Sequence, residues 1–234
     1  MADVKRAKYP YDSNEAVETL AATLNDICPS PRSGAVVLSH SPLLDTKTQD
    51  YCTDLPGNVT IIENHLAYMP NIQIGLDALA SSTYLFIRAI KGIGGANIVL
   101  YMPAAPLVED LPPVVAVEDH INMLARPPHV GVEPASWEEQ FFPMNKAYDP
   151  VNALRAMEIA GLPLVSGILL GVGAGQFDTV AGREAAKCFG ANLISVHIFG
   201  QCLIAKRAGM NVVGFAETSG IDPEIIGGLI SRAL

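Results

Sequence analysis

Apolar residues recur at spacings of three and four from Val17 through Leu20 and Leu24 to Ile27, which makes one helical stripe. Ser13 or Asp12 can cap this helix near Asn14, and Pro29 and Pro31 stop it. Ala35-Val36-Val37-Leu38 and Val59-Thr60-Ile61-Ile62 are short and rich in β-branched side chains, so they read as buried strands. The pattern predicts a helix over 80–91, ended by Gly92, Gly94 and Gly95. Strands are predicted over 97–102 and 114–117.

Residues 124–148 show no period and hold Pro127, Pro128, Pro134 and Pro143. A stretch of that length without regular structure is expected to be functional or to sit at an interface. A regular alternation follows: helix 150–160, strand 164–170, helix 179–189, strand 193–198, helix 201–208, strand 212–217 and helix 222–233. Strands alternating with helices of this length predict a mainly parallel sheet with helices on both faces. The expected fold class is therefore α/β, a three-layer α/β/α arrangement around a mixed sheet. No internal repeat or linker is evident, so residues 1–234 are expected to form one domain.

Composition narrows the function classes. Half of the 234 residues are hydrophobic and 17% are charged, enough apolar material for a large core. Lys and Arg number 15 against 24 Asp and Glu, a formal charge of −9. Such an acidic surface repels phosphate backbones, so neither nucleic acid nor an anionic membrane is expected as a partner. Cys28, Cys52, Cys188 and Cys202 lie far apart with no CxxC pair, which indicates neither a zinc knuckle nor a disulfide framework. The N-terminal residues lack an apolar signal core and no run is long enough for a bilayer, so a cytoplasmic location is expected.

Local motifs offer several chemistries. Gly171-Val172-Gly173-Ala174-Gly175 lies between a strand and a helix, the setting of a phosphate-cradling loop. Its spacing is not GxGxxG and no Lys follows, so a tight turn is the plainer reading. Asp119 and His120 are adjacent near a strand end, where neighbours point apart. His40 and His197 follow apolar strands, where α/β folds place ligands. With Asp119 or His120 they could assemble a metal site, but nothing in their spacing requires one, and no metal is expected. His65 and His129 read as surface or packing histidines.

Val117-Glu-Asp-His-Ile-Asn-Met123 resembles the RDHIN strand-end motif of the homotrimeric purine nucleoside phosphorylase family. Further segments agree in order. Phe141-Phe142-Pro143-Met144-Asn145-Lys146-Ala147-Tyr148-Asp149 resembles FPxMxxAYD, and Gly173-Ala-Gly-Gln-Phe-Asp-Thr179 resembles the GPSFET loop. Gly190-Ala191-Asn192 and Ala205 through Phe215 resemble the family's late segment, and Ala104-Ala105 falls where the family has NAAGG. The resemblance is strongest over 95–217.

The departures concern the chemistry that the resemblance implies. The family's glycine-serine-glycine phosphate turn corresponds to Ser39-His40-Ser41. Its GRxHxYEG segment has no counterpart beyond Asn64-His65-Leu-Ala-Tyr68. The base-binding Glu falls at Asp178, and the purine-binding Asn falls at Ser219 or Gly220. The ribose-side Met and the neighbouring phosphate Ser fall at Val196 and His197. Each missing anion-clamp donor is expected to cost about 3 kcal/mol in the transition state, so three absences remove useful phosphorolysis.

Phe177 sits where the family stacks an aromatic on the purine, and Phe142 where a neighbouring subunit inserts one. Two aromatic walls without a phosphate clamp suit a flat, mostly uncharged heterocycle; alternatively, both rings simply pack in the core. The expected function is non-catalytic binding of a small aromatic molecule: a nucleobase-like compound, an indole derivative or a pigment chromophore. The expected ligand-binding residues are Phe177, Asp178, Val196, His197, Phe142, His40, Ser39 and Ala104, with no catalytic residue and no required cofactor. A divergent nucleoside phosphorylase or hydrolase using His40, Asp178 and His197 is one alternative, and a storage or structural protein another. The segment 124–148 is expected to cross to a neighbour in a homo-oligomer, a trimer before a dimer.

Overall fold

The computed structural model describes residues 13–28, 34–38, 57–62, 65–70, 76–124, 134–196 and 200–234. In chain order its elements are α1 (Asn14–Ile27), β1 (Gly34–Leu38), β2 (Gly57–Ile62), β3 (His65–Pro70), α2 (Leu76–Gly92), β4 (Asn97–Pro103), β5 (Ala105–Pro106) and β6 (Val114–Asn122). They continue as α3 (Pro150–Ile159), β7 (Ser166–Gly171), α4 (Val180–Cys188), β8 (Leu193–Ser195), α5 (Gly200–Arg207), β9 (Asn211–Glu217) and α6 (Pro223–Ala233). Nine strands form one sheet in the order β2-β3-β1-β4-β9-β6-β7-β8-β5. The pairs β1/β3, β1/β4, β4/β9, β6/β7 and β7/β8 are parallel. The pairs β2/β3, β5/β8 and β6/β9 are antiparallel.

Alternation along the central strands divides the core into two layers. Ile98, Leu100 and Met102 of β4 pack with α1, α2 and α5 on one face. Val99 and Tyr101, with Val213 and Phe215 of β9, pack against α3 and α6 on the other. Ala186 of α4 completes a smaller third cluster with Leu107, Leu170, Val172, Ala191 and Ile194. The mixed sheet is thus covered on both faces, as the alternation of elements predicts.

Local signals explain most boundaries. The Ser13 hydroxyl accepts from the Ala16 amide at 3.4 Å and starts α1. Asp149, Thr179 and Asp222 cap α3, α4 and α6 with their side chains. Several features depart from expectation, among them the two-residue strand β5, which the sequence pattern does not predict. β3 was not expected; it lies two residues after β2, pairs with it, and buries His65, Leu66, Ala67 and Tyr68. The helix read over 80–91 starts four residues earlier, at Leu76. β6 runs past 117 to Asn122 through an irregularity between Val117 and Asp119, so Asp119 and His120 lie within a strand, not beyond its end. Of the unpatterned segment 124–148, residues 134–148 hold neither helix nor strand.

Candidate functional site

The carboxyl ends of four strands converge on one cavity of about 450 Å³. Pro103, Ala104 and Ala105 come from the end of β4 and the start of β5, and Val172 follows β7. Ile194, Ser195 and Val196 come from the end of β8, and Glu217 to Gly220 from the end of β9. The loop into α4 adds Gln176, Phe177 and Asp178, and Arg183 lies in the first turn of that helix. Strand ends supply such sites because the sheet fixes the backbone while the loops beyond it carry the variable side chains.

Hydrogen bonds hold these walls together. Ser195 Oγ donates to the Pro103 carbonyl at 2.8 Å, joining β8 to β4. The Ala104 amide donates to the Glu217 carbonyl at 2.8 Å, joining β4 to β9. Thr218 donates through Oγ1 to the Pro112 carbonyl at 2.7 Å and through its amide to Pro113 at 2.9 Å. Arg183 Nη2 donates to the Pro106 carbonyl on β5. Tyr101, fully buried, donates its hydroxyl to Glu217 Oε2 at 2.8 Å.

The loop before α4 is tightly turned. The Gly173 amide donates to Gln176 Oε1 at 2.8 Å. That N–H is therefore engaged within the turn, which favours the tight-turn reading over a phosphate cradle. Phe177 has φ of 59°, a left-handed conformation uncommon for a bulky residue and concentrated at functional positions. Gly182 permits it: a Cβ there would meet Phe177 Cα at 2.9 Å. The Phe177 ring meets Phe189 edge-on, with centroids 6.2 Å apart, and packs against the third core cluster. Phe177 thus has packing partners on one side and borders the cavity on another.

Ala104, Phe177, Asp178 and Val196, singled out from the sequence, all line this cavity, as do Ser219 and Gly220. Phe142 is half-buried and is not among its lining residues. Ser39, His40 and His197 lie outside the described residues. Asp119 is exposed, while His120 is half-buried with its ring edge-on to Tyr148 at 5.6 Å. Among the described residues no group of three or more His, Cys, Asp or Glu is placed to hold a metal ion, and no helix is long and apolar enough to cross a membrane.

Sequence reasoning missed Glu217 and Arg183. Glu217 does carry a signal, because it is a carboxylate ending a strand that is apolar from Val212 to Ala216. Arg183 gives none, since a cation in an exposed helical turn is ordinary.

No family model matches the chain. Among curated proteins, the purine nucleoside phosphorylase of Mycobacterium tuberculosis is 29% identical over 150 residues, which cover 63% of this chain and 53% of that protein. Purine nucleoside phosphorylase 1 of Bacillus subtilis is 23% identical over 135 residues, 56% of this chain and 50% of that one. The chain spans about half the length of the curated relatives it matches. Among solved structures, Schistosoma mansoni purine nucleoside phosphorylase complexed with a monocyclic inhibitor superposes with a TM-score of 0.74 at 18% identity, over 95% of this chain and 96% of that one. A schistosoma purine nucleoside phosphorylase in complex with hypoxanthine gives 0.70 at 19% identity, over 95% and 93%.

Proposed function

Because the chain is related in sequence to the purine nucleoside phosphorylases and shares their fold, we propose that it binds a small flat aromatic heterocycle without turning it over. The observation that carries this reading is Phe177, held in a left-handed conformation beside Asp178 on a cavity of about 450 Å³. That volume lies within the usual range for a small-molecule pocket, about 300–1,000 Å³. An aromatic face with a carboxylate next to it suits a ring that stacks and donates an N–H.

The sequence argues against phosphorolysis. A dianionic nucleophile needs several preorganised donors. The segment that would supply them here is Ser39-His40-Ser41, without the family's glycines, and no Arg-bearing GRxHxYEG segment is present. Two measurements test the reading. Calorimetric titration with purine bases is expected to give saturable binding. Incubation with inosine and phosphate is expected to release no hypoxanthine. Phosphate-dependent turnover in the ordinary enzymatic range, about 1–1,000 per second, would overturn the non-catalytic part.

The names of the curated relatives favour a second reading, a divergent nucleoside phosphorylase or hydrolase. Slow base release that depends on Asp178 would support it. The homo-oligomer, with Phe142 reaching a neighbour's cavity, is part of the first reading. Its partly buried ring lies off its own chain's cavity, and a monomer by light scattering at micromolar concentration would count against it.

A further inference from the structure

Glu217 borders the cavity with its side chain held from inside the core. Its main chain is fixed by register partners on both sides, Pro103 on β4 and Val114 on β6. Its carboxylate is fixed by Tyr101, whose hydroxyl reaches Oε2 at 2.8 Å from a ring with no solvent exposure. Burial, and then the charge of Glu217, push the Tyr101 phenol well above its ordinary pKa, so it stays a donor at neutral pH. A carboxylate offers about four acceptor sites, and the phenol takes one. Glu217 is only half-buried and lines the cavity, so acceptor capacity beyond the phenol is left for a ligand there.

Asp178 borders the same cavity. Arg183 is the one cation among the described lining residues, and it donates to the Pro106 carbonyl. Among the described lining residues, two carboxylates stand against one cation, so these walls are rich in acceptors. A ring carrying carbonyl oxygens would set lone pairs against lone pairs there, whereas a ring carrying amino groups would donate to both carboxylates.

Building on the reading of this cavity as a heterocycle site, we infer that Glu217 is a second recognition residue beside Asp178, and that the pair selects amino-substituted heterocycles over oxo-substituted ones. Tyr101 is its positioning residue. The preference is a property of charge and donor pattern, so it holds whether or not the site turns its ligand over.

Calorimetric titration of the whole protein with 2,6-diaminopurine and with hypoxanthine tests this. Diaminopurine is expected to bind at least about tenfold tighter, the size of one hydrogen bond to a charged group. Glu217→Gln keeps the side-chain volume and an oxygen for Tyr101 while removing the charge. It is expected to narrow the gap by about tenfold, diaminopurine binding more weakly and hypoxanthine more tightly than to the unaltered protein. Should that variant fail to fold by circular dichroism, Glu217→Asp, which retracts the carboxylate, is expected to shift the gap in the same direction. Hypoxanthine binding as tightly as diaminopurine, or an unchanged gap in the folded variant, overturns this inference and leaves the heterocycle reading standing. If neither base binds, the heterocycle reading falls and the inference falls with it.

Discussion

Arg88 meets Glu138 in a two-point ion pair inside the core, Nε to Oε1 at 2.9 Å and Nη2 to Oε2 at 3.0 Å, with neither side chain exposed. Arg88 also donates to Asn14 Oδ1 at 2.9 Å, Arg207 lies 3.9 Å from Glu138 Oε2, and the Ala135 amide donates to the same oxygen at 2.8 Å. α1, α2, α5 and the irregular segment 134–149 therefore share one polar knot.

Removing one member strands a buried charge. Glu138→Leu is expected to destabilise the protein by about 3–5 kcal/mol, and adding Arg88→Met to return a large part of that loss. Urea denaturation midpoints of the two single variants and the double variant check this. A double variant as unstable as the sum of the singles would show that the two side chains do not act as a pair.

Phe177 separates ligand binding from stability. Phe177→Ala is expected to weaken heterocycle binding by about 2–3 kcal/mol, roughly 30- to 150-fold. Phe177→Gly removes the same ring but suits a φ of 59°, so it is expected to be about 1 kcal/mol more stable than the Ala variant. Calorimetry and thermal melting read the two effects independently. Undiminished binding in a folded Phe177→Ala protein would place the site elsewhere.

The parts of this molecule that sequence makes legible are those where one physical rule dominates. α1 follows from a single apolar stripe and a serine cap, and the α3-to-α6 half from strict alternation of strands and helices. β3 was missed because His65-Leu-Ala-Tyr-Met-Pro has no alternation to read: residues 65–68 are all buried, as expected of a strand covered on both faces. At the site, Phe177 and Asp178 were found through a motif, whereas Glu217 and Arg183 reach the cavity through strand register and helix phase. Arg88 carries no local signal, because its partner Glu138 lies 50 residues away in the chain.

Acid sensitivity should localise in part to His120. Burial lowers its pKa, against an opposing pull from Asp119, so the folded state prefers the neutral ring. An unfolded histidine titrates near about 6.5. The contribution is therefore complete above that pH and is lost as pH falls through the folded-state pKa. Compared with His120→Gln, the unaltered protein should lose stability as pH falls below about 6.5, with a slope no steeper than about 1.4 kcal/mol per pH unit. Parallel stability profiles for the two proteins would refute this.

Thiol labelling should rank the described cysteines. Burial pushes the Cys202 pKa up to about 12, and its Sγ lies 3.6 Å from the Ala147 carbonyl. Cys188 is exposed. A maleimide at neutral pH is expected to modify Cys188 within minutes and Cys202 only on unfolding, because the thiolate is the reactive form. Mass mapping after timed quenching reads this, and early modification of Cys202 would contradict its burial.

β5 is two residues long and follows β4 after Ala104 alone, yet it pairs Ala105 with Ile194 and Pro106 with Leu193. An open strand edge recruits other chains, because its unpaired N–H and C=O groups template a further strand. This short cap lies along β8, and Pro106 has no N–H to offer a newcomer. At the opposite end of the strand order, β2 is six residues long. Strand addition, whether by a peptide or in the first step of aggregation, is therefore blunted at the sheet edge beside the cavity, where β5 lies along β8.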